Sequence, residues 1–344
     1  MYSKTKLERV LELHRGYDLP ERERKEGNVP IISSSGYSGL HNDYKCDGEN
    51  VITGRYGTIG EVFYHEGKCW PLNTALYVSD FKGNNPRYVY YLLKYILKRS
   101  IDGKDKSTVP GVDRNVLHQM KIPFCQDIKE QKKLITILEK IDRRIDINRK
   151  INDNLAQQAQ LLFDFMFQDI SGSKHIGDFI VPQRGTALLS KDAIPGEVPV
   201  VAGGLEPAAY HNAANTVAPV ITISSSGANA GFVNLWGIPV WSSDSSFIDF
   251  KMTPHVYFWY ALLKRHQNNI YKIQTGSAQP HIYPSHIASL PVCDLNFEKV
   301  ADYTGQVTPL FSLIAKNYKE INQLRALRDW LLPMLMNGQA TISD

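Results

Sequence analysis

The sequence predicts an α+β protein with an internal repeat. Two similar β-rich domains are separated by two long helices, which form an antiparallel coiled coil about a pseudo-twofold axis. Three observations support this fold class. Short motifs recur once at a nearly constant offset, each repeat begins with runs typical of β-strands, and each repeat ends in a stretch with heptad spacing.

The repeat extends along the whole chain. Arg15-Gly16 recurs 169 residues later as Arg184-Gly185, and Trp70 recurs 171 residues later as Trp241. Further matches keep the same order: 28–32 with 197–201, 51–53 with 220–222, 91–94 with 261–264, and 108–112 with 278–282. One match could arise by chance, but an ordered series indicates a duplicated structural unit.

The first part of each repeat consists of short runs of β-branched and aromatic residues between Gly, Pro, Asn and Ser, which predicts strands joined by turns. The predicted strands are 29–33, 50–53, 60–64 and 76–78 in the first repeat, and 198–201, 220–224, 231–235 and 246–250 in the second. One short helix is predicted in each repeat, over Pro86–Lys98 and Pro254–His266, because proline suits the first turn of a helix.

The second part of each repeat is helical. Residues 128–168 contain no Pro or Gly, and apolar residues recur at alternating steps of three and four, which is a coiled-coil pattern. The second stretch is interrupted by Pro309, which predicts a kink or a late helix start. The predicted helix seam comprises Leu138, Ile141, Ile145, Asn148, Leu155, Leu310, Ile314, Asn317, Ile321 and Leu324.

Asn148 and Asn317 occupy equivalent seam positions in the two repeats. A polar seam residue lowers stability but specifies register, so we expect the two side chains to pair where the twofold axis crosses the seam. The alternative is that a local phase shift turns each asparagine towards solvent. Four segments follow: residues 1–127, a β-rich domain; 128–170, a central long helix; 171–295, a second β-rich domain; and 296–344, a C-terminal long helix.

Composition is that of an ordinary folded protein, with a net charge of +4 that is unevenly placed. Residues 1–173 carry 27 Lys and Arg against 23 Asp and Glu, whereas residues 174–344 carry 12 of each. No run of 18 apolar residues and no signal-peptide core is present, so a cytoplasmic protein is expected. The four cysteines are widely spaced, which predicts free thiols rather than a zinc knuckle or a redox pair.

A rigid spacer between two similar modules suits a ligand with two separated, similar features. About forty helical residues form a rod of about 60 Å. Duplex DNA is such a ligand, because half-sites one helical turn apart, about 34–36 Å, face the same side.

Several longer motifs, taken in order, are specific enough to indicate a protein family. Residues 52–62 read ITGRYGTIGEV, residues 106–112 read KSTVPGV before Ile122-Pro123, and KEQKKLI at 129–135 opens the first long helix. GSAQPHI at 276–282 and Leu290-Pro291 repeat the pattern. This ordered set, which covers nearly the whole chain, resembles the specificity subunit of a type I restriction-modification system.

Two departures from the pattern of type I specificity subunits leave a related class of subunit as an alternative. The second long helix has Asn296-Phe297-Glu298-Lys299 where a Glu-Gln pair would stand, and both modules are short for such subunits. The specificity subunit of a type IIB enzyme, in which one partner chain both methylates and cleaves, is therefore an alternative.

The resemblance implies that residues 1–127 and 171–295 are target recognition domains, each reading one half of a bipartite site in double-stranded DNA. It implies that the helices act as a spacer and as a docking surface for two methyltransferase subunits, with restriction nuclease subunits as further partners. The chain itself would be non-catalytic and without a cofactor. S-adenosylmethionine, Mg²⁺ and, where it is used, ATP would bind to the partner subunits.

Candidate DNA contacts lie in the turn-rich segments. Arg55 follows an apolar run and could bond guanine or phosphate, or be a solvated turn residue. The serine loops could bind phosphate or be ordinary turns, and Arg15 and Arg184 could bind phosphate or stabilise a turn. In the second half, glutamine replaces lysine, and glutamine can bond adenine. The candidates are Arg15, Ser33, Ser34, Ser35, Arg55, Tyr56, Lys104, Lys106, Thr108, Arg184, Ser224, Ser225, Ser226, Gln274, Ser277, Gln279 and His281.

Catalytic motifs are absent from the sequence. There is no Asn/Asp-Pro-Pro-Tyr/Phe run of an amino-methyltransferase and no phosphate-binding loop of the G-x-x-x-x-G-K-[ST] type. Two other classes remain as alternatives: a stand-alone nuclease or base-modifying enzyme, and a β-rich scaffold or carbohydrate binder. Salt-sensitive DNA binding would distinguish the DNA-reading protein from the scaffold.

Overall fold

The computed structural model describes residues 2–55, 60–101, 113–168, 172–189, 191–276 and 279–342. The chain forms two compact units. One comprises Met1–Ile145 with Gln323–Asp344, and the other comprises Asp146–Asn322. Each unit therefore contains one β-rich region and a part of both long helices.

The first β-rich region has three sheets, in the strand orders β2-β8-β5-β6, β4-β3-β7 and β1-β9. The strands are β1 (Tyr2–Lys6), β2 (Glu12–Arg15), β3 (Val29–Ser33), β4 (Gly36–His41), β5 (Glu49–Gly54), β6 (Val62–Glu66), β7 (Trp70–Pro71), β8 (Ala75–Asp80) and β9 (Lys121–Cys125). The helices are α1 (Pro86–Ile101), α2 (Arg114–Gln119) and the long α3 (Ile128–Met166).

The second β-rich region repeats this arrangement strand for strand, in the orders β11-β17-β14-β15, β13-β12-β16 and β10-β18. Its strands are β10 (Lys174–His175), β11 (Gln183–Arg184), β12 (Val198–Val201), β13 (Ala209–His211), β14 (Val220–Ser224), β15 (Val233–Trp236), β16 (Trp241–Ser242), β17 (Ser245–Asp249) and β18 (Pro291–Val292). Its helices are α4 (Val256–Arg265), α5 (Gln267–Lys272), α6 (Pro284–Ala288) and the long α7 (Phe297–Met336). The predicted α+β repeat is confirmed.

The core of the first unit lies between its sheets and helices. Tyr88 and Leu92 of α1 are fully buried and belong to one cluster with Leu138 of α3. The same cluster includes residues near the end of α7, and the Asp142 carboxylate joins all three helices. It accepts bonds from the Tyr91 hydroxyl at 2.7 Å and from the Arg328 guanidinium at 2.9 Å. Burial, followed by the Asp142 charge, raises the pKa of Tyr91.

In the second unit, aromatic residues connect the β-rich region to both long helices. Phe163 of α3 is fully buried and packs against Phe258 of α4 and Tyr303 of α7, with ring centroids 5.7 and 5.6 Å apart. The Tyr303 hydroxyl donates to the Ala159 carbonyl at 3.1 Å. The side chain of Phe163 therefore contributes to the region's core and to helix pairing at once.

The two long helices run antiparallel within the second unit. Asn152 contacts Asn317 and Ala159 contacts Tyr303, so residue numbers rise along α3 as they fall along α7. The α7 helix begins at Phe297, ahead of Pro309, and the expected late start is wrong. Val307 and Phe311 are buried on either side of the proline, so tertiary packing compensates for its missing amide donor.

The predicted seam residues all turn inward. Leu138, Ile141, Ile145, Asn148, Asn317 and Ile321 are buried, and Leu155, Leu310, Ile314 and Leu324 are half-buried. The solvent-facing alternative for the asparagines is therefore wrong.

The predicted asparagine pair is also wrong. The Asn317 amide donates to Asn152 Oδ1 at 2.8 Å, whereas Nδ2 of Asn148 has no partner among the described residues. Asn152 and Asn148 lie one turn apart in the same seam, and the packing selects Asn152.

Replacing Asn317 with leucine is expected to lower the free energy of unfolding by about 1–3 kcal/mol, because the buried Asn152 amide loses its partner. The double variant N152L/N317L is expected to cost less than the sum of the two single changes, since neither amide is then left without the other. Urea unfolding midpoints of the three variants measure this. Strictly additive effects would mean that the bond between the two amides contributes nothing.

Candidate nucleic-acid interface

Three predicted DNA contacts of the first unit meet at the turn between β7 and β8. The Arg55 amide donates to the Thr74 carbonyl at 2.9 Å, and the Ser34 amide donates to Thr74 Oγ1 at 3.3 Å. The Arg15 side chain donates through Nε to the Asn73 carbonyl at 3.3 Å. Residues from three separate loops therefore form one edge, which we call the first reading edge and define as Arg15, Ser34, Ser35, Arg55 and the Asn73–Thr74 turn.

Strand pairing explains why these residues converge. Arg15 ends β2 and lies opposite Leu76 of β8, while Gly54 ends β5 and lies opposite Ala75 of the same strand. The ends of β2 and β5 therefore flank the start of β8, and the residues that follow them must lie beside the turn that precedes it.

The second unit builds an equivalent edge at the turn between β16 and β17. The Ser225 amide donates to the Asp244 carbonyl at 3.1 Å, which matches the bond from Arg55 to Thr74. Here the turn residue is acidic. Asp244 Oδ1 accepts from Arg184 Nη2 at 2.7 Å, and its second oxygen accepts from the Ser226 hydroxyl. Arg184, Ser226, Asp244 and the 279–281 segment define the second reading edge.

His281 joins this edge through its backbone. It forms a β-bridge with Ser226 and exchanges two backbone hydrogen bonds with Thr275, at 2.8 and 3.0 Å. Its imidazole stacks on the Tyr283 ring, with centroids 6.1 Å apart, and Gln279 is exposed nearby in sequence. The Gln274 amide donates to the Ala230 carbonyl at 2.7 Å, so one of its donors stabilises the fold.

The serines of the two loops separate into two groups. Ser33, Ser224 and Ser225 are buried, whereas Ser34 and Ser226 are half-buried and Ser35 is exposed. Ser33 Oγ donates to the Gly36 carbonyl at 3.1 Å and so closes its own turn. Burial favours the ordinary-turn interpretation for the first group and leaves Ser34, Ser35 and Ser226 accessible to a ligand.

The arginines of the two edges are held differently. Arg15 is half exposed and lies 3.8 Å from Asp18, which is a weak surface pair, whereas Arg184 makes a close pair with Asp244. A guanidinium has five N–H donors, so Arg184 keeps donors for a base edge or a phosphate after it bonds Asp244.

Five other candidates lie outside the described residues: Tyr56, Lys104, Lys106, Thr108 and Ser277.

Sequence reasoning missed the two turns that organise the edges, Asn73–Thr74 and Ser243–Asp244. It also missed an aromatic group beside the first edge. The Lys45 ammonium lies 4.6 Å from the Trp70 ring centroid and 5.6 Å from that of Tyr17, whose hydroxyl bonds Tyr77 at 2.8 Å. Burial is the largest cause that raises the pKa of Tyr77. The repeated tryptophan, which shortly precedes both turns, was the available signal.

Known proteins resemble this chain in sequence and in fold. Residues 2–157 match the family model described as type I restriction modification DNA specificity domain. The match covers the first β-rich region and most of α3. The chain is also similar to proteins named as type I specificity subunits from Mycoplasma genitalium (23% identity, 88% of this chain and 84% of the relative) and Mycoplasma pneumoniae (21% identity, 88% and 86%).

One solved structure has the same fold along the whole length of this chain. It is the crystal structure of a type I restriction-modification S subunit from M. genitalium, with 20% identity, a TM-score of 0.59, and coverage of 100% of this chain and 97% of that one. The resemblance to a type I specificity subunit is confirmed.

No helix in the part of the chain that the structure describes is long and apolar enough to cross a membrane. No group of three or more His, Cys, Asp or Glu side chains in the same part of the chain is arranged to hold a metal ion.

Proposed function

We propose that the chain recognises a bipartite DNA target, with one half read by each β-rich region, and directs methyltransferase and restriction subunits to it. One observation carries the proposal: the two regions share their sheet orders and their edge-forming hydrogen bonds but differ in the side chains at that edge. A duplicated frame with different contact groups is what two separate sequence readers require.

The differences at the edges are chemical. The backbone position of Arg55 in the first region is taken by Ser225 in the second, and that of Thr74 is taken by Asp244. Arginine donates two bonds to guanine in the major groove, whereas an aspartate accepts from cytosine N4. The first edge therefore suits phosphate and guanine, and the second suits a half-site read by carboxylate, amide and hydroxyl groups.

Exposed apolar residues on the long helices support partner docking. Ile147, Ile151, Leu161 and Phe165 of α3 are exposed, and each directly precedes a buried or half-buried residue of that helix. In α7, Leu313, Leu327 and Trp330 are exposed, and each directly precedes a half-buried residue. Both helices thus carry a second apolar stripe beside the seam, which we call the docking stripe. Its duplication supports two methyltransferase subunits.

Chemistry and cofactors belong to the partners in this proposal. The sequence lacks the motifs of an amino-methyltransferase and of an ATP-binding loop, so S-adenosylmethionine, Mg²⁺ and, where it is used, ATP would bind to the other subunits. The purified chain is then expected to transfer no labelled methyl group to DNA unless the methyltransferase subunit is added.

Selection of bound duplexes from a random-sequence pool tests the proposal. The expected consensus has two short motifs separated by a spacer of fixed length and unrestricted sequence. A single uninterrupted motif, or binding without sequence preference, would contradict the two-reader function.

Replacing Arg55 with alanine is expected to weaken binding to the selected site by about 1–3 kcal/mol if the side chain bonds a base edge, with the loss confined to one position of one half-site. A phosphate contact would instead weaken binding to all sequences and lower the salt slope by about one. Titrations against single-base variants at several salt concentrations separate the two. Arg22→Ala, which removes an 85% exposed arginine that is not part of the first reading edge, is the control, and equal effects of both changes would exclude a specific role for Arg55.

Placing a charge in the docking stripe is expected to weaken methyltransferase binding. Phe165→Asp removes a 74% exposed aromatic ring, and loss of an aromatic hot spot at the centre of an interface costs about 2 kcal/mol or more. The matched control is Gln157→Asp, which adds the same charge to an exposed position of the same helix. Calorimetric titration with the methyltransferase subunit measures the loss, and an equal loss for both variants would assign it to charge alone.

A further inference from the structure

Two cysteines far apart in sequence face each other in the first unit. Cys46 lies between β4 and β5, and Cys69 immediately precedes β7. They form an antiparallel bridge in which the Cys46 amide donates to the Cys69 carbonyl at 3.1 Å and the Cys69 amide donates to the Cys46 carbonyl at 2.9 Å. Both are free thiols. With 22 residues between them, the sequence showed no sign of a redox pair.

The backbone geometry is compatible with a disulfide. Residues that exchange both bonds across an antiparallel pair have Cα atoms about 5.5 Å apart, and disulfides span about 4.4–6.8 Å between Cα atoms. The two residues are directly opposed in the bridge, so their side chains extend from the same face of it. Closing the bond therefore requires side-chain rotation and a small approach of two segments that are already paired.

The two sulfurs have different environments. Cys46 is half-buried and so accessible to a small oxidant, whereas Cys69 is fully buried behind it. The hydrogen bond from Cys69 lowers the pKa of the Cys46 thiol, and donating that bond raises the pKa of Cys69. Accessibility and thiolate character both select Cys46 as the sulfur that reacts first.

We propose that Cys46 and Cys69 are a peroxide-responsive dithiol that closes to an intramolecular disulfide. The Cys46 thiolate attacks a hydroperoxide, which breaks the O–O bond and gives a sulfenic acid and an alcohol, or water in the case of hydrogen peroxide. The Cys69 sulfur then attacks the Cys46 sulfur and expels water. In total, two thiols lose two electrons and two protons, and the peroxide is reduced.

The second unit lacks this dithiol at the equivalent position. There, Asn215 and Thr216 occupy the place of Lys45 and Cys46, and Val240 occupies that of Cys69. The Asn215 amide donates to the Val240 carbonyl at 3.2 Å, as the Lys45 amide does to Cys69. The Thr216 hydroxyl donates to the Val240 carbonyl at 2.8 Å. The fold therefore does not require thiols here, and oxidation would act on the first region alone.

A disulfide would restrict the movement of the segment that carries Lys45. Lys45 precedes Cys46 directly, and Trp70, over whose ring the Lys45 ammonium lies, follows Cys69. The Tyr17 carbonyl accepts from the Asn73 amide at 3.0 Å, so the aromatic group is bonded to the first reading edge. Oxidation would thus fix a basic side chain beside that edge.

The experiment treats the purified full chain with hydrogen peroxide, alkylates the remaining thiols and identifies linked peptides by mass spectrometry. The expected result is the loss of two free thiols and a monomeric 46–69 link, with Cys125 and Cys293 still alkylated. In C69V, Cys46 is expected to accumulate as a sulfenic acid that dimedone traps, and in C46T neither product should form.

The double variant C46T/C69V copies the pair found at the equivalent position of the second unit and so serves as the folding control, checked by its urea midpoint. The proposal is overturned if the wild-type thiols at 46 and 69 remain alkylatable under conditions that oxidise free cysteine. It is also overturned if the recovered link joins other cysteines or two chains.

Discussion

Under the proposed function, exchanging residues 1–125 for the equivalent module of a type I specificity subunit is expected to replace one half of the DNA target and leave the other half unchanged. Each mismatched base pair in a specific site costs about 1–3 kcal/mol, so several mismatches in the old half-site should lower affinity more than about a hundredfold. Binding-site selection with the hybrid chain, beside the parent, measures the change directly.

The structure favours this exchange point. Strand β1 pairs with β9 from Tyr2 with Cys125 to Lys6 with Lys121, so the two ends of the module are adjacent and α3 begins only at Ile128. The hybrid should keep Tyr2, which bonds the Leu335 carbonyl, and Tyr91, which bonds Asp142, because these contacts seat the module on the helices.

The reciprocal exchange of residues 172–292 is the matched control, and it should change the other half-site alone. If either hybrid alters both halves, the two regions do not read independently. If neither hybrid alters the target, the reading residues lie outside the β-rich regions.

Replacing Phe163 with alanine is expected to lower the free energy of unfolding by about 3–5 kcal/mol, which is the usual cost of deleting a buried phenylalanine ring. Phe163 is fully buried and touches Phe167, Phe258 and Tyr303 through its ring, so the cavity would open where the second β-rich region joins both long helices.

Phe165→Ala is a control of the same chemistry two residues away. Its ring is 74% exposed, and surface substitutions typically change stability by no more than about 0.5 kcal/mol. Urea unfolding of both variants under identical conditions gives the comparison. Similar midpoints would show that Phe163 is not part of the core that holds the second unit together.

Features that depend on local periodicity were predictable. The helix expected from Pro86 to Lys98 is observed from Pro86 to Ile101, because the three- and four-residue spacing of its apolar residues is independent of what they pack against. The α4 helix was expected from Pro254 but begins at Val256. Helix ends depend on a single turn's hydrogen bonds and are less determined by sequence than helix interiors.

The pairing of helix positions was not predictable. Asn148 and Asn152 occupy successive seam positions, and a heptad pattern looks the same after a shift of one layer. The choice of Asn152 as the partner of Asn317 depends on contacts elsewhere along the unit, including the bond from Tyr303 to Ala159. Those contacts join residues more than 140 positions apart, which no local pattern encodes.

For the candidate site, the sequence by itself determined the repeat, several of the strands and the residue types in each turn, including Arg15, Arg55 and Arg184. Only the tertiary structure decided which of those turns meet. Asn73–Thr74 and Ser243–Asp244 became the centres of two edges, and Cys46 came to face Cys69. The physical reason is that side-chain alternation along a strand is local, whereas pairing between strands is set by the burial of both faces and by loop closure over tens of residues.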